Sequence, residues 1–337
     1  MKKILLVSFL LFSNKGFSQL TNIDREIRDN ISLLRQVTVS IGIDTTVTYR
    51  NINGSVVTER IFNAVGTGVI FYVKVLDSIT IPCLVTAKHV LYDSSNSWNP
   101  SRINIRFSTS DSIPINKHKG YELDLYDKEY KSEMWIEHPN KKIDIACIFV
   151  DNIKFDSVRP NIKIIPYSFF PTDEEYYEGK EIYVLGYPGA VGLDLLNKAI
   201  IRKGIISWVP GNINSTEKIL IDCNIFPGNS GGPVFSIPKN TGVILDDTVF
   251  HGAKFFGIVS ERRFSENSLM APNGQAIVDS KGKPIRSLES IGIGIIISAK
   301  RVQELLNLAK EIVEPEIKKY IEQQKEIEVK KKRTRSS

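Results

Sequence analysis

An all-β fold is predicted: two antiparallel β-barrels or sandwiches in series, with a short helix at the N-terminal end and a longer helix at the C-terminal end. Short β-branched and aromatic runs with period-two alternation recur over 37–43, 46–49, 69–75, 79–86, 103–107, 134–137 and 143–150. A second group occupies 181–185, 199–208, 219–224, 233–236, 249–259 and 291–297. Turn residues separate most of these runs and no long helical pattern intervenes, which argues against an alternating α/β sheet.

Taken in chain order, residues 23–34 alternate charge and hydrophobe as a short helix packed on the body would, and 19–36 is assigned to it. The first barrel is expected over 37–155. Pro160, Pro166 and Pro171 mark 156–178 as the connection between halves. The second barrel is expected over 179–298. From Ser298 the period becomes helical, with Val302, Leu305, Leu306, Ile312 and Val313 on one apolar face until Pro315 interrupts it, and 299–329 reads as a docked helix with a solvated extension. Residues 330–337 read as a basic tail too short and polar to fold.

The chain has 337 residues, 42% hydrophobic and 24% charged, a balance that excludes disorder, collagen and coiled coil and is long enough for about two globular units. A net charge of +6 suggests a nucleic-acid partner until it is located. Lys2, Lys3 and Lys15 lie in the first 18 residues, and Lys330, Lys331, Lys332, Arg333 and Arg335 lie at the other end, leaving the body at about −2. No nucleic-acid partner is expected. The basic tail reads as solvated, with attraction to an anionic envelope or partner as the other reading.

Residues 1–18 read as an export signal: two lysines, an apolar run over 4–12, then Gly16 and Ser18 before Gln19. The run is about half the roughly 20 residues that span a bilayer, so no integral membrane anchor is expected and the protein is placed in the periplasm or outside the cell. Cys83, Cys147 and Cys223 each sit in an apolar run and read as buried free thiols, with one disulfide plus one free thiol as the alternative. Neither a C-x-x-C nor an H-x-x-x-H spacing occurs, so no metal site is expected, and the chemistry read below requires no cofactor. His118 and His138 read as structural or solvated, and Trp98, Trp135 and Trp208 as core or barrel-surface aromatics.

The segment richest in chemistry is F-P-G-N-S-G-G-P, from Phe226 to Pro233. Glycine permits backbone conformations that turn amide hydrogens towards one point, so Ser230 could be a nucleophile whose oxyanion is held by backbone donors. A neutral hydroxyl attacks poorly and needs a base and an orienter. His89, where an apolar strand ends in a polar step, and Asp144, a carboxylate interrupting an apolar run, supply both types. A buried aspartate is costly unless its charge is held, and a histidine N–H would hold it.

His89, Asp144 and Ser230 follow in that order, 55 and 86 residues apart. With T-A-K-H-V, D-I-A and G-N-S-G-G-P around them, the chain resembles the trypsin-like serine peptidases of the chymotrypsin fold, and more closely their bacterial HtrA/Deg-type branch. Gly66-Thr67-Gly68-Val69-Ile70-Phe71, Leu185-Gly186-Tyr187-Pro188-Gly189, Gly257-Ile258-Val259-Ser260 and Ile291-Gly292-Ile293-Gly294 extend the resemblance over about residues 64–300. It implies an exported serine endopeptidase acting on protein or peptide substrates through an acyl-enzyme. Ser230 would be the nucleophile, His89 the base and then acid, and Asp144 the orienter. Gly228, Asn229 and Ser230 would form the oxyanion hole. Asn224, Ile225, Ser260, Glu261, Arg262 and Gly294 would border the substrate, with Ser260 also supporting Asp144.

The chain departs from the digestive members. Asn229 stands where they carry the aspartate that pairs with a newly cut N-terminus, so no such zymogen cut is expected. Glu261 and Arg262 replace an aromatic and a glycine, and Asn224 replaces the acidic pocket floor that selects Lys or Arg. A pocket bordered by Ile225 and Gly294 suits uncharged side chains. About 37 residues follow residue 300, too few for a PDZ module, so a peptidase domain alone is expected. Two rivals remain. Gly228 to Gly232 satisfies G-x-S-x-G, but a hydrolase elbow would need Asp246 or Asp247 with His251 and a β-α alternation that is absent. The other is a catalytically quiet trypsin-like domain serving as a protein-binding module.

Overall fold

The computed structural model describes residues 27–77, 79–108, 113–118, 120–127, 129, 131–150, 165, 169–192, 195–211, 218–237 and 253–335. The export signal, the greater part of the expected inter-barrel connection, and Asp246, Asp247 and His251 lie outside them.

A helix over 27–37 (α1) leads into β1 (Thr38–Arg50), β2 (Val56–Leu76) and β3 (Ile79–Thr86). A one-turn helix α2 (Lys88–Leu91) follows, then β4 (Arg102–Phe107), β5 (Tyr121–Asp124), β6 (Trp135–Glu137) and β7 (Ala146–Phe149). These strands form one antiparallel sheet in the order β5-β4-β1-β2-β3-β7-β6. The expected first barrel is thus a curled half-barrel: among the described residues its two edge strands meet only at one end, through a Tyr126–Glu133 bridge and Met134 N–H donating to Leu125 O at 3.0 Å. β5 to β7 are only three or four residues long, too short to hydrogen-bond along a whole seam.

The second half does close. Strands β8 (Glu181–Gly186), β9 (Ile200–Trp208), β10 (Ile219–Asp222), β11 (Pro233–Ser236), β12 (Lys254–Ser268) and β13 (Arg286–Ser298) form a barrel in the order β10-β13-β12-β11-β8-β9. β12 and β13 run far past the barrel as an exposed arm, which the period-two reading missed over 260–290 because its side chains are mostly polar. At the tip Leu269, Ile277 and Ile285 close a triangle of backbone bonds, each 2.8–2.9 Å, between two small hairpins that turn at Gly274 and Gly282. Both glycines have positive φ, the conformation these turns need.

Period two explains where the core lies. On β2, Val69, Phe71 and Val73 face a central layer while Ile70 faces the interior of the half-barrel. On β12 a register shift at Phe256 breaks the alternation, so that Phe255 and Ile258 face the same layer while Phe256 and Val259 fill the closed barrel. Cys83 and Cys147 lie in that layer and Cys223 in the barrel, and all three are buried free thiols. The central layer therefore fuses the two halves face to face and fixes their relative position.

The C-terminal helix α3 runs over Ala299–Arg335. Val302, Leu305, Leu306 and Ala309 are buried in the central layer, whereas Ile312 is half exposed. The helix passes without a break through Pro315, where an interruption was expected, and continues into the basic segment expected to be unfolded. A proline inside a helix costs about 3 kcal/mol, but the docked first turns supply the nucleus, and Glu, Lys, Gln and Arg on either side propagate it. His138, read as structural or solvated, is buried and meets Glu304 of this helix at 3.1 Å, a pairing 166 residues apart in sequence. Among the described residues no helix is long and apolar enough to cross a membrane.

Candidate active site

His89 is the second residue of α2, placed where β3 ends at the first-barrel rim. Asp144 lies in the irregular segment just before β7, not in a strand as expected, and this frees its carboxylate to turn towards α2. His89 Nδ1 is 2.7 Å from Asp144 Oδ2, and the His89 backbone N–H donates to Oδ1 at 3.1 Å. The Ser260 hydroxyl, on the second half, donates to Oδ2 at 2.9 Å. Lys88 N–H donates to the Asp144 carbonyl at 3.3 Å. An ionised carboxylate only accepts, so Nδ1 carries the ring proton and Nε2 keeps its lone pair.

Burial works against charge on His89, but the hydrogen bond and charge of Asp144, with Asp93 and Glu261 farther out, outweigh it and hold the ring above the ordinary histidine pKa. Glu261 is itself bonded to Lys218 Nζ at 2.5 Å.

The loop carrying Ser230 is seated between the halves. Gly231 N–H donates to Val259 O at 2.7 Å and Val259 N–H to Gly232 O at 2.9 Å, so the loop continues the β11–β12 pairing. On its other side Thr67 N–H donates to Ser230 O at 2.8 Å. A Cβ on Gly231, where φ is +80°, would lie 2.1 Å from both Thr67 O and Thr86 Oγ1 and 2.9 Å from Ala87 N, two residues before His89. The Ser230 loop thus abuts the end of β3, which leads into the turn carrying His89. Among the described residues no hydrogen bond joins the Ser230 hydroxyl to His89, a contact that catalytic sites without ligand often leave open.

The expected oxyanion donors separate into two kinds. Gly189 N–H donates to Pro227 O at 3.1 Å, which turns the other side of that peptide, the Gly228 N–H, away from Gly189. The Gly228 and Ser230 N–H groups have no partner among the described residues, whereas Asn229 N–H is spent on Phe226 O at 3.0 Å. Gly228 and Ser230 can therefore receive an oxyanion and Asn229 does not, a correction to its inclusion.

Thr67 is the residue the sequence did not single out. Its hydroxyl donates to Gly228 O at 2.6 Å and accepts from Tyr187 N–H at 3.0 Å, while Thr86 Oγ1 donates to its carbonyl at 2.7 Å. It clamps the Gly228–Ser230 loop from the half-barrel side. The available signal was a polar residue inside the apolar run from Ala64 to Phe71, and the structure buries it fully.

Asn229 is 2% exposed and its Oδ1 has no hydrogen-bond partner among the described residues. Asn229→Asp would bury a carboxylate without a counter-charge, raising its folded-state pKa above the unfolded value of about 3.9. The sign follows: stability relative to the parent is retained below pH 4 and lost as pH rises through the raised pKa. The expected result is a thermal midpoint several degrees below the parent at pH 7 that converges on it near pH 4. A gap that does not change with pH would contradict this account of the site.

The expected substrate-bordering residues divide as well. Ile225 is buried in the barrel core, and a Cβ on Gly294 would lie 2.6 Å from Ile225 Cγ1, so these two pack on each other and do not line an open pocket. Ser260 is 2% exposed and its hydroxyl is committed to Asp144. Asn224 is exposed beside Gly292, and Glu261 and Arg262 are partly exposed, with the Arg262 guanidinium 4.3 Å from the Phe264 ring centroid. Among the described residues no three His, Cys, Asp or Glu side chains gather as metal ligands would.

A family model for the trypsin-like peptidase domain matches residues 66–242, just over half of the chain. The match takes in His89, Asp144 and Ser230 and ends before β12. No curated protein matches the chain.

Proposed function

Because this chain belongs to the trypsin-like peptidase family, we propose that it is a serine endopeptidase that cleaves peptide bonds through Ser230, His89 and Asp144. The observation that carries the proposal is the 2.7 Å bond from His89 Nδ1 to an Asp144 carboxylate also held by Ser260, at the rim against which the Ser230 loop is seated. In this reading His89 Nε2 takes the Ser230 proton as the hydroxyl attacks the scissile carbonyl. The Gly228 and Ser230 N–H groups stabilise the oxyanion, each worth roughly 3 kcal/mol in comparable sites. His89 then protonates the leaving amine, and water, activated by the same imidazole, hydrolyses the acyl-enzyme. Asp144 stays ionised and stabilises the imidazolium.

Export to the periplasm or beyond, by the segment 1–18, and kinship with the HtrA/Deg branch are parts of the same proposal. They rest on the sequence motifs. Reaction of the purified protein with a fluorophosphonate probe tests the chemistry: stoichiometric labelling at Ser230 is expected. The absence of a Ser230–His89 hydrogen bond favours a second reading, a quiet domain that binds proteins without turnover. Failure of a demonstrably folded sample to label between about pH 7 and 9 would decide for it.

The raised pKa of His89 sets the pH dependence. The neutral ring is the base, so kcat/KM rises with pH and its acid limb lies above 6.5. Glu261→Gln removes one of the charges that raise it and moves the limb lower, more at low salt than at high salt. The effect is small because Lys218 already offsets part of the Glu261 charge.

A further inference from the structure

We infer that His138 is a positioning residue for the reaction: held by Glu304, it lets the C-terminal helix α3 fix the hairpin that carries Asp144 relative to Ser260, and so to His89. The inference deepens the reading of Asp144 as the orienter of His89 and rests on it.

Asp144 lies in the loop of the β6–β7 hairpin, at the edge of the half-barrel sheet. β6 is only three residues long and β7 begins after Asp144, so strand pairing holds the outer leg of the hairpin as far as Glu137 and no farther. Beyond Glu137 the loop is gathered by His138. Its backbone N–H donates to the carbonyl of Ile145, the residue after Asp144, at 3.2 Å, and its ring Nδ1 accepts from Asn140 N–H at 3.1 Å. Ile143 N–H closes the turn on Asn140 O at 3.0 Å. A backbone N–H only donates, so Nδ1 carries the lone pair and Nε2 the proton, the tautomer opposite to that of His89. Nε2–H therefore donates to Glu304 Oε2 at 3.1 Å, and Arg301 Nη1 holds the two oxygens of that carboxylate at 3.1 and 2.9 Å. With both ring nitrogens engaged and the residue 3% exposed, the imidazole cannot shift without leaving a buried polar atom unpaired.

The same helix reaches the other support of Asp144. Ala299, its first residue, donates its N–H to the Tyr176 hydroxyl at 3.0 Å, and that hydroxyl donates to Phe256 O at 2.8 Å. Phe256 lies on β12, the strand that carries Ser260 and its bond to Asp144 Oδ2. Ala299 and Glu304 are about 7.5 Å apart along the helix axis, at roughly 1.5 Å per residue, and Val302 and Leu305 bury this stretch in the central layer. The start of α3 is thus a short strut that touches both groups seating the Asp144 carboxylate, the hairpin through His138 and the Ser260 strand through Tyr176. A fully paired buried imidazole has directed bonds that fix one position, which apolar packing at the same site would leave looser.

The test uses the full chain and substitutes Glu304, whose side chain is partly exposed, so that the buried ring stays in place. In Glu304→Ala the Nε2–H loses its acceptor and the hairpin its tether. We expect the rate of fluorophosphonate labelling to fall about tenfold at temperatures where the variant is fully folded, since displacing a catalytic group by 1 Å costs up to about 100-fold. The His89 Nδ1–H signal, identified in the proton NMR spectrum by its loss in His89→Ala, should move upfield as the bond to Asp144 weakens. Glu304→Gln keeps an acceptor oxygen and should restore the labelling rate to within about twofold and return the signal. Glu314→Ala, which removes the Glu314–Lys318 pair farther along the helix, should change neither. Glu304→Asp draws the acceptor back by one methylene and carries the same expectation in smaller degree, so a Glu304→Ala protein that fails to fold leaves the test decisive. Labelling at the parental rate, or an unmoved His89 signal, overturns this inference alone. A parent protein that does not label overturns the nucleophile assignment, and the His89 signal then decides by itself whether Glu304 and His138 position Asp144.

Discussion

Ser230→Ala is expected to lower kcat/KM by roughly 10⁴-fold or more and to abolish fluorophosphonate labelling, with little change in thermal midpoint. The catalytic part follows from loss of the nucleophile, leaving only the oxyanion donors and binding. The stability part follows from the structure: among the described residues the Ser230 hydroxyl holds no hydrogen bond, while the loop is anchored through the backbone of Ser230, Gly231 and Gly232. His89→Ala should fall by a similar factor, and the double variant should be little worse than either single one, because base and nucleophile act as a unit. A Ser230→Ala protein keeping more than about 1% of parental activity after contaminant proteases are excluded would reject Ser230 as nucleophile.

Thr67→Val is the second large effect expected. The side chain keeps its volume but loses the hydroxyl, leaving the buried Gly228 carbonyl and Tyr187 N–H without their partner. Each buried group left unpaired costs about 1–3 kcal/mol, so the thermal midpoint should drop by roughly 5–10 °C. A positioning role predicts more than instability. With the Gly228–Asn229 peptide released, the oxyanion donors lose their alignment and kcat should fall about 10–100-fold with KM nearly constant, even at temperatures where the variant is fully folded. Thr67→Ser, which retains the hydroxyl, should recover most of kcat. Equal labelling rates in Thr67→Val and the parent would make Thr67 a structural residue without influence on the chemistry.

Legibility in the sequence followed the range of the forces involved. Period-two alternation marked most strands, because burial on a sheet face is written locally every second residue. It overlooked β5 and the arm of β12 and β13, where solvated or short strands leave little apolar signal. It also placed Asp144 within a strand, whereas the residue precedes β7, since an apolar run does not say which of its members hydrogen-bond to a neighbour.

The candidate site divides along the same line. The chain by itself determined which chemical groups are available, a serine in a glycine-rich turn and a histidine and aspartate ahead of it, because residue type and order are enough to limit the chemistry. Tertiary structure alone decided how those groups are held. It brought Thr67 onto Gly228 across 161 residues, whereas the contact of Ser260 with Asp144, 116 residues apart, was already implied by the resemblance. It also spent the Asn229 N–H on a local turn and closed the space between Ile225 and Gly294. Hydrogen bonds and packing reach only a few ångströms, so which distant residues come within that reach is set by the fold and leaves no mark in the local sequence.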